Sequence, residues 1–224
     1  MEGLDVHLDG ALVHRSPSPE RLLETVLMTI NAAVIDGCAS FAVHAGVVAL
    51  DGVAVAWPGV SGAGKSTLTG ACLREGFAYV SDEALVLQQT SVRPYPKPLS
   101  LSAWSLAGLG LSGPAPGTAE RAVSVAELHA VVAEPPLRLG HLLVLRRRSG
   151  PPVLEPVTTA EAAMLLLQHS FNHYKQPAEA FQVASGAAAS AQCWRLTYDT
   201  PAPAAELLKT ALTDQPPLPE HEQR

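Results

Sequence analysis

Residues 41–66 read FAVHAGVVALDGVAVAWPGVSGAGKS. Two apolar, β-rich runs, 41–50 and 53–59, flank Asp51-Gly52, a dipeptide that favours a two-residue hairpin turn. Strands joined by two residues must run antiparallel. The second run leads straight into 59-GVSGAGKS-66, which fits the phosphate-cradling pattern G-x-x-x-x-G-K-S/T residue for residue. Lys65 to Glu75 then reads as a helix stopped by Gly76. The loop therefore has a strand before it and a helix after it, as a nucleotide-binding loop requires.

The spacing has a chemical reason. Gly59, Gly62 and Gly64 let the backbone turn tightly and bring N–H groups up to phosphate oxygens. The following helix points the positive end of its dipole at the anion. The candidate nucleotide-binding residues are Gly59, Val60, Ser61, Gly62, Ala63, Gly64, Lys65, Ser66 and Thr67. Lys65 is the cation for the β- and γ-phosphates, and the Ser66 hydroxyl is placed to ligate Mg²⁺. Such a site also needs an acid for the metal and, for transfer, one to position the nucleophile. Asp82-Glu83 follows the strand-like FAYVS, at 77–81, where that acid is expected; a solvated turn is the ordinary alternative. The hairpin is unusual for such a loop. Motor and switch NTPases use parallel sheets with long crossovers, so the hairpin points to another architecture.

Composition narrows the class. The chain has 224 residues, of which 47% are apolar and 16% charged, with a formal net charge of −6. That suits one folded domain over 1–214 with a disordered tail at 215–224, and it carries no nucleic-acid footprint. The basic run Arg146–Arg148 reads first as a solvated strand end, with phosphate or substrate contact as the alternative. Cys38, Cys72 and Cys193 are widely spaced, which argues against a disulfide framework or a thiolate metal site. The N-terminus is acidic where a signal peptide is basic, and no apolar run is long enough to span a membrane. A cytoplasmic setting is the expectation.

Elsewhere, 4–14 reads as a short hairpin. Ser18-Pro19 opens a helix that Gly37 closes. ALVLQQ (84–89), LGHLLVL (139–145) and CWRLTY (193–198) read as strands, and 202–212 as a terminal helix. PYPKPLSL (94–101) has three prolines and reads as an edge or irregular extended segment. Residues 105–120, rich in Gly, Pro and Ala, read as a mobile loop or lid. Ser124 with Glu127 and Thr158 with Glu161 are candidate capping boxes, the second opening a helix through about His173.

With these elements in place, 43–87 resembles the catalytic core of HPr kinase/phosphorylase, and more closely the short, single-domain HPr-kinase-related proteins of bacteria, which include lasso-peptide precursor kinases. The resemblance rests on His44 in HAGVV, the loop Gly59–Ser66, FAYVSDE and YPKPLSL. It implies an α/β fold related to phosphoenolpyruvate carboxykinase: a P-loop domain whose mixed sheet sends an antiparallel hairpin into the Walker A loop. It implies ATP-dependent phosphorylation of a hydroxyl with Mg²⁺, most directly a serine of a peptide or protein. Asp82 matches the aspartate that takes the serine proton. Glu83 stands where a second aspartate is usual and, with Ser66 and Asp82, would serve the metal. His44 would lie near the transferred phosphate, against the ordinary reading of a satisfied strand histidine. The implied catalytic set is Asp82, Lys65 and His44. Full-length members are hexamers, which makes a homo-oligomer an implied partner.

Three alternatives stay open: a small-molecule hydroxyl kinase, a nucleotide-binding regulatory protein without transfer, and an ATPase that only hydrolyses. Lys97 and Arg138 are candidates to contact phosphate or substrate. His169, Asn172, His173 and Tyr174 form a polar cluster. His169 and His173 have metal-ligand spacing on a helix, but with no third ligand a solvated or substrate-facing helix end is the simpler reading.

Overall fold

A computed structural model of the chain describes residues 4–16, 19–114 and 119–213. Ser18, expected to cap the first helix, and the tail 215–224 lie outside these residues. The elements run β1 (Leu4–Leu8), β2 (Ala11–Ser16), α1 (Pro19–Asp36), β3 (Phe41–Leu50), β4 (Val53–Pro58), α2 (Lys65–Arg74), β5 (Ala78–Ser81), β6 (Ala84–Gln88) and β7 (Ser91–Arg93). Then come β8 (Leu99–Ser102), α3 (Ala103–Gly108), β9 (Glu120–Val123), β10 (Leu137–Arg147), β11 (Val153–Pro156), α4 (Thr159–Gln168), α5 (Pro177–Ser190), β12 (Gln192–Tyr198) and α6 (Pro201–Thr213).

The fold is mixed α/β, with helices on a mostly antiparallel sheet. Among the described residues the main sheet has the order β11-β12-β10-β4-β3-β6-β7, with β5 also on β3. The expected hairpin is present: β3 and β4 pair antiparallel from Ala45↔Pro58 to Leu50↔Val53. Asp51 and Gly52 take φ of 49° and 78°, the left-handed pair that a two-residue turn needs. β10 is parallel to both β4 and β12. At its start, β10 also pairs antiparallel with β7, through Leu137↔Val92, so the sheet curls round and meets itself.

Both faces of the sheet are covered, which is why these strands read as near-continuous apolar runs. Val43, Ala45, Val47 and Ala49 of β3 join Ala54 and Ala56 of β4 in one cluster, with Ala162 and Leu166 of α4 and Ala180, Ala184, Ala187 and Ala188 of α5. Val48, Val55 and Trp57 face the other way, toward Leu68, Ala71, Cys72 and Leu73 of α2 and Ala204, Ala205 and Leu208 of α6. The alternation follows the period of two along a strand. Along β10 it changes phase: Leu137, Leu139 and Leu142 share one cluster and Leu143 the other. The register shift between Leu139 and His141 accounts for this.

Several expectations change. α4 ends at Gln168 rather than near His173. A further helix, α5, stands where the sequence reading assigns no element; it buries alanines at positions 180, 184, 187 and 188, a helical stripe of small residues. The segment 105–120 is not uniformly loop. Its start belongs to α3, and Leu109 is held by Arg74 Nη2 donating to its carbonyl at 2.7 Å. Residues 115–118 of the same stretch lie outside the described residues. The Ser124–Glu127 box forms reciprocally, with Glu127 N donating to Ser124 Oγ at 3.3 Å and Ser124 N to Glu127 Oε1 at 3.0 Å. The second box forms by half: Thr158 accepts from Glu161 N at 3.2 Å, but the Glu161 carboxylate turns to Arg195 at 2.6 Å.

Candidate functional site

The glycine loop joins β4 to α2 at the carboxyl ends of three strands. β4, β10 and β12 run parallel in the sheet, and Gly59, Arg147 and Tyr198 end or follow them on one side. Ligands of α/β sheets bind outside such strand ends. A cleft of about 520 Å³ lies there, lined by the loop from Ser61 to Thr67 and by His44, Asp82, Glu83, Lys97 and Arg147.

Gly64 is the hinge between loop and helix. It has φ of 89°, and a Cβ there would also stand 3.1 Å from Tyr198 Oη. Both conformation and space call for glycine. No side chain caps α2, so its first N–H groups are unclaimed by any cap and lie where the loop opens into the cleft. The loop's approach is tied down by Gly59 N donating to His44 O at 3.1 Å. The Lys65 ammonium folds back on the loop, donating to Gly59 O at 2.9 Å and Val60 O at 2.8 Å. Burial lowers its pKa, and the carboxylates of Asp82 and Glu83 work against that shift.

The acid pair is placed by a turn that the sequence reading did not identify. β5 and β6 lie end to end along β3, through Val47↔Ser81 and His44↔Ala84. Between them Ser81 Oγ accepts from Glu83 N at 3.1 Å and from Ala84 N at 3.0 Å. This serine turn sends the two acids different ways. Asp82 points inward and is buried, while Glu83 is half-buried. Burial pushes the Asp82 carboxyl up to about 7, although Lys97, the Ser66 hydroxyl and the Ser100 N–H draw it down. Its Oδ1 has no hydrogen-bond partner among the described residues, an uncommon condition for a buried oxygen.

Glu83 faces Lys97, Oε2 to Nζ 3.3 Å, and His44 Nε2 lies 3.9 Å from Oε1. Burial first, then the Lys65 charge, holds His44 below its ordinary pKa. It is therefore neutral at pH 7, and Lys97 is the ionic partner of Glu83. The Phe171 ring lies 5.4 Å from the His44 ring.

Ser66 and Asp82 fit a hard divalent cation: a hydroxyl beside a carboxylate with one oxygen unclaimed. Among the described residues no three His, Cys, Asp or Glu side chains converge on a metal site. Mg²⁺ binds through one or two carboxylates, water and phosphate oxygens rather than a protein cage. Glu83, the third residue of the expected metal set, faces Lys97 at 3.3 Å.

Of the other candidates, Lys97 is in the cleft and Arg138 is not. Arg138 pairs with Val53 and Ser91 at the opposite end of the sheet. His169 sits beside His44, its carbonyl accepting from His44 N at 2.8 Å, whereas His173 is exposed and stacks edge-on with Tyr174. The two histidines do not share a helix face. Asn172 is structural: its amide donates to Ser40 O at 2.8 Å and Cys38 O at 3.2 Å and accepts from Ala42 N at 3.1 Å.

The basic run Arg146–Arg148 is an exposed strand end, as first read, and Arg147 also borders the cleft. Its guanidinium lies 5.2 Å from the Trp104 ring and 5.1 Å from the Tyr198 ring, at the cleft wall. Trp104 and the hydroxyls of Ser102 and Ser105 are further cleft residues that the sequence reading missed. Nothing local marks them: Ser102 and Trp104 fall between the segments 94–101 and 105–120. Ser105 Oγ is 2.7 Å from Thr67 Oγ1, which ties α3 to the glycine loop.

Among the described residues no helix is long and apolar enough to cross a membrane. Compared with known proteins, the chain matches no family model, no curated protein and no solved structure.

Proposed function

We propose that this cleft binds ATP with Mg²⁺ and transfers the γ-phosphate to a hydroxyl, that of a serine in a peptide or protein, in a fold of the HPr kinase type. The observation that carries the reading is Asp82: a buried carboxyl with an unclaimed oxygen, beside Ser66 on the helix that begins at Lys65. The likeness of 43–87 to the HPr kinase core supports the same assignment.

The loop N–H groups and the α2 N-terminus hold the phosphates. Lys65 exchanges the Gly59 and Val60 carbonyls for phosphate oxygens and meets charge that develops during transfer. Ser66 and Asp82, with water and phosphate oxygens, would hold Mg²⁺, which would supply neutralisation of phosphate charge. Asp82 accepts the proton of the acceptor hydroxyl. The hydroxyl oxygen forms its bond to the γ-phosphorus as the bond from that phosphorus to the ADP oxygen breaks. Neutral His44 and the Lys97–Glu83 pair border the place where that hydroxyl must sit.

Incubation with labelled ATP and serine peptides or small hydroxylated molecules, followed by product analysis, tests the reading. Label on a serine is expected. Asp82→Asn should lower turnover at least ~100-fold while ATP binding persists. Near-normal turnover in that variant would remove Asp82 from its role. Label only on small molecules would reassign the acceptor, and release of free phosphate alone would make the chain an ATPase.

A further inference from the structure

The cleft has two chemically different ends. Asp82 lies beside Ser66 and Ser100, with Glu83 and Lys97 next to it. β8 runs away from this acid end, through Ser100 and Ser102, and passes directly into α3. At two residues' rise along a strand, Ser102 is about 7 Å beyond Ser100. Trp104 follows in the first turn of α3, next to Ser105, which is bonded to Thr67.

Trp104 is 56% exposed, whereas Trp57 is fully buried and Trp194 half-buried. The turn that carries Trp104 is tied to α2. Ser102 caps α3 by accepting from Ser105 N at 3.3 Å, and Ser105 is clamped to α2 through Thr67. The Arg147 guanidinium lies over the Trp104 ring at 5.2 Å and over the Tyr198 ring at 5.1 Å. Arg147 also stands 3.6 Å from the point where a Cβ of Gly64 would be. An exposed aromatic face thus borders the glycine loop beside α3.

We propose that Trp104 is the nucleobase platform of the cleft, with Arg147 as the positioning residue that holds the indole ready. This rests on the phosphotransferase reading, in which the terminal phosphate points at Asp82. A triphosphate laid along the loop with that polarity sends its nucleoside out past Thr67, to Trp104. The ligand is a nucleoside triphosphate whose base stacks on the open face of the indole. Stacking of a base on an aromatic side chain tolerates any base, since every base has a π-face.

The test compares Mg²⁺·ATP with Mg²⁺·tripolyphosphate, which has the phosphates and no base. Dissociation constants are measured by calorimetry on the wild type, Trp104→Ala and Trp104→Phe. Trp104→Ala should weaken ATP roughly tenfold or more, leave tripolyphosphate within about twofold, and be largely rescued in Trp104→Phe. In the wild type, ATP should change the emission of the exposed indole and tripolyphosphate should not. Unchanged ATP affinity in Trp104→Ala overturns the proposal and leaves the phosphotransferase reading standing, as does an equal loss for both ligands. A wild type that binds neither ligand fails at the earlier step and overturns both.

Discussion

In the β3–β4 hairpin Gly46 stands opposite Trp57, and a Cβ on Gly46 would lie 2.2 Å from the indole Nε1. The indole is wholly buried, so it has nowhere to go. A second neighbour, Thr69 Oγ1, would be 2.8 Å away. Gly46→Ala should therefore destabilise by about 3 kcal/mol and lower Tm on the order of 5–10 °C. A thermal melt unchanged within about 1 °C would show that the hairpin has room for a methyl group.

Asp82 should be a stability liability at neutral pH. Its folded pKa, about 7, is raised above the unfolded value of 3.8. Below the unfolded value both states are protonated and there is no penalty. Between the two values the unfolded chain ionises while the folded one holds its proton, so stability falls as pH rises to about 7 and then levels off. Asp82→Asn, melted without divalent metal, should be more stable than the wild type at pH 8 by several °C, with the gap closing toward pH 4. A gap that does not depend on pH would contradict the burial of that charge.

His141 acts in the opposite sense. It is buried in β10 with Nδ1 unpartnered, and burial, then Arg138, holds its pKa down to about 4. The unfolded histidine takes a proton near pH 6.5 and the folded one resists. Stability therefore falls as pH drops from about 6.5 to 4, on the order of 2–3 kcal/mol. Urea unfolding of the wild type and His141→Leu at pH 7.5 and pH 5 measures this. Equal losses in both proteins would exonerate His141.

Asn172 closes the segment after α4 onto β3 with three hydrogen bonds to backbone groups. Asn172→Ala leaves those groups short of partners and should cost about 2–4 kcal/mol in chemical denaturation. Because His44 N bonds to His169 O in the same junction, backbone amide exchange at His44 should also quicken. Unaltered exchange and stability would mean that water replaces the side chain without loss.

The legible parts of this protein are those whose cause is local. Asp51-Gly52 dictates a tight turn wherever it falls between apolar runs, and the glycine spacing of 59–66 dictates a loop that presents N–H groups. Asp82 could be placed because only one strand separates it from α2. α5 was missed although its buried alanines recur at helical spacing, because alanine contrasts weakly with the Ser, Gln and Gly around it. α4 ends sooner than expected because backbone and side-chain bonds tie His169, Ser170, Phe171 and Asn172 to β3, although polar residues after Gln168 continue a helical rhythm.

The chain alone therefore determines the hairpin, the phosphate-type loop and an acid near it, each set by backbone sterics and hydrogen bonding within a few residues. The remaining walls of the cleft are decided by tertiary structure. Arg147 reaches the loop because β10 pairs parallel with β4, and Trp104 because Ser105 meets Thr67 38 residues away. Asp82 has its raised pKa, and Glu83 its lysine partner, because the fold removes water from one carboxyl and brings Lys97 to the other. Long-range pairing and desolvation leave no signature in any short stretch of residues. They turn a glycine loop into one wall of a cleft that also holds two acids and an exposed indole.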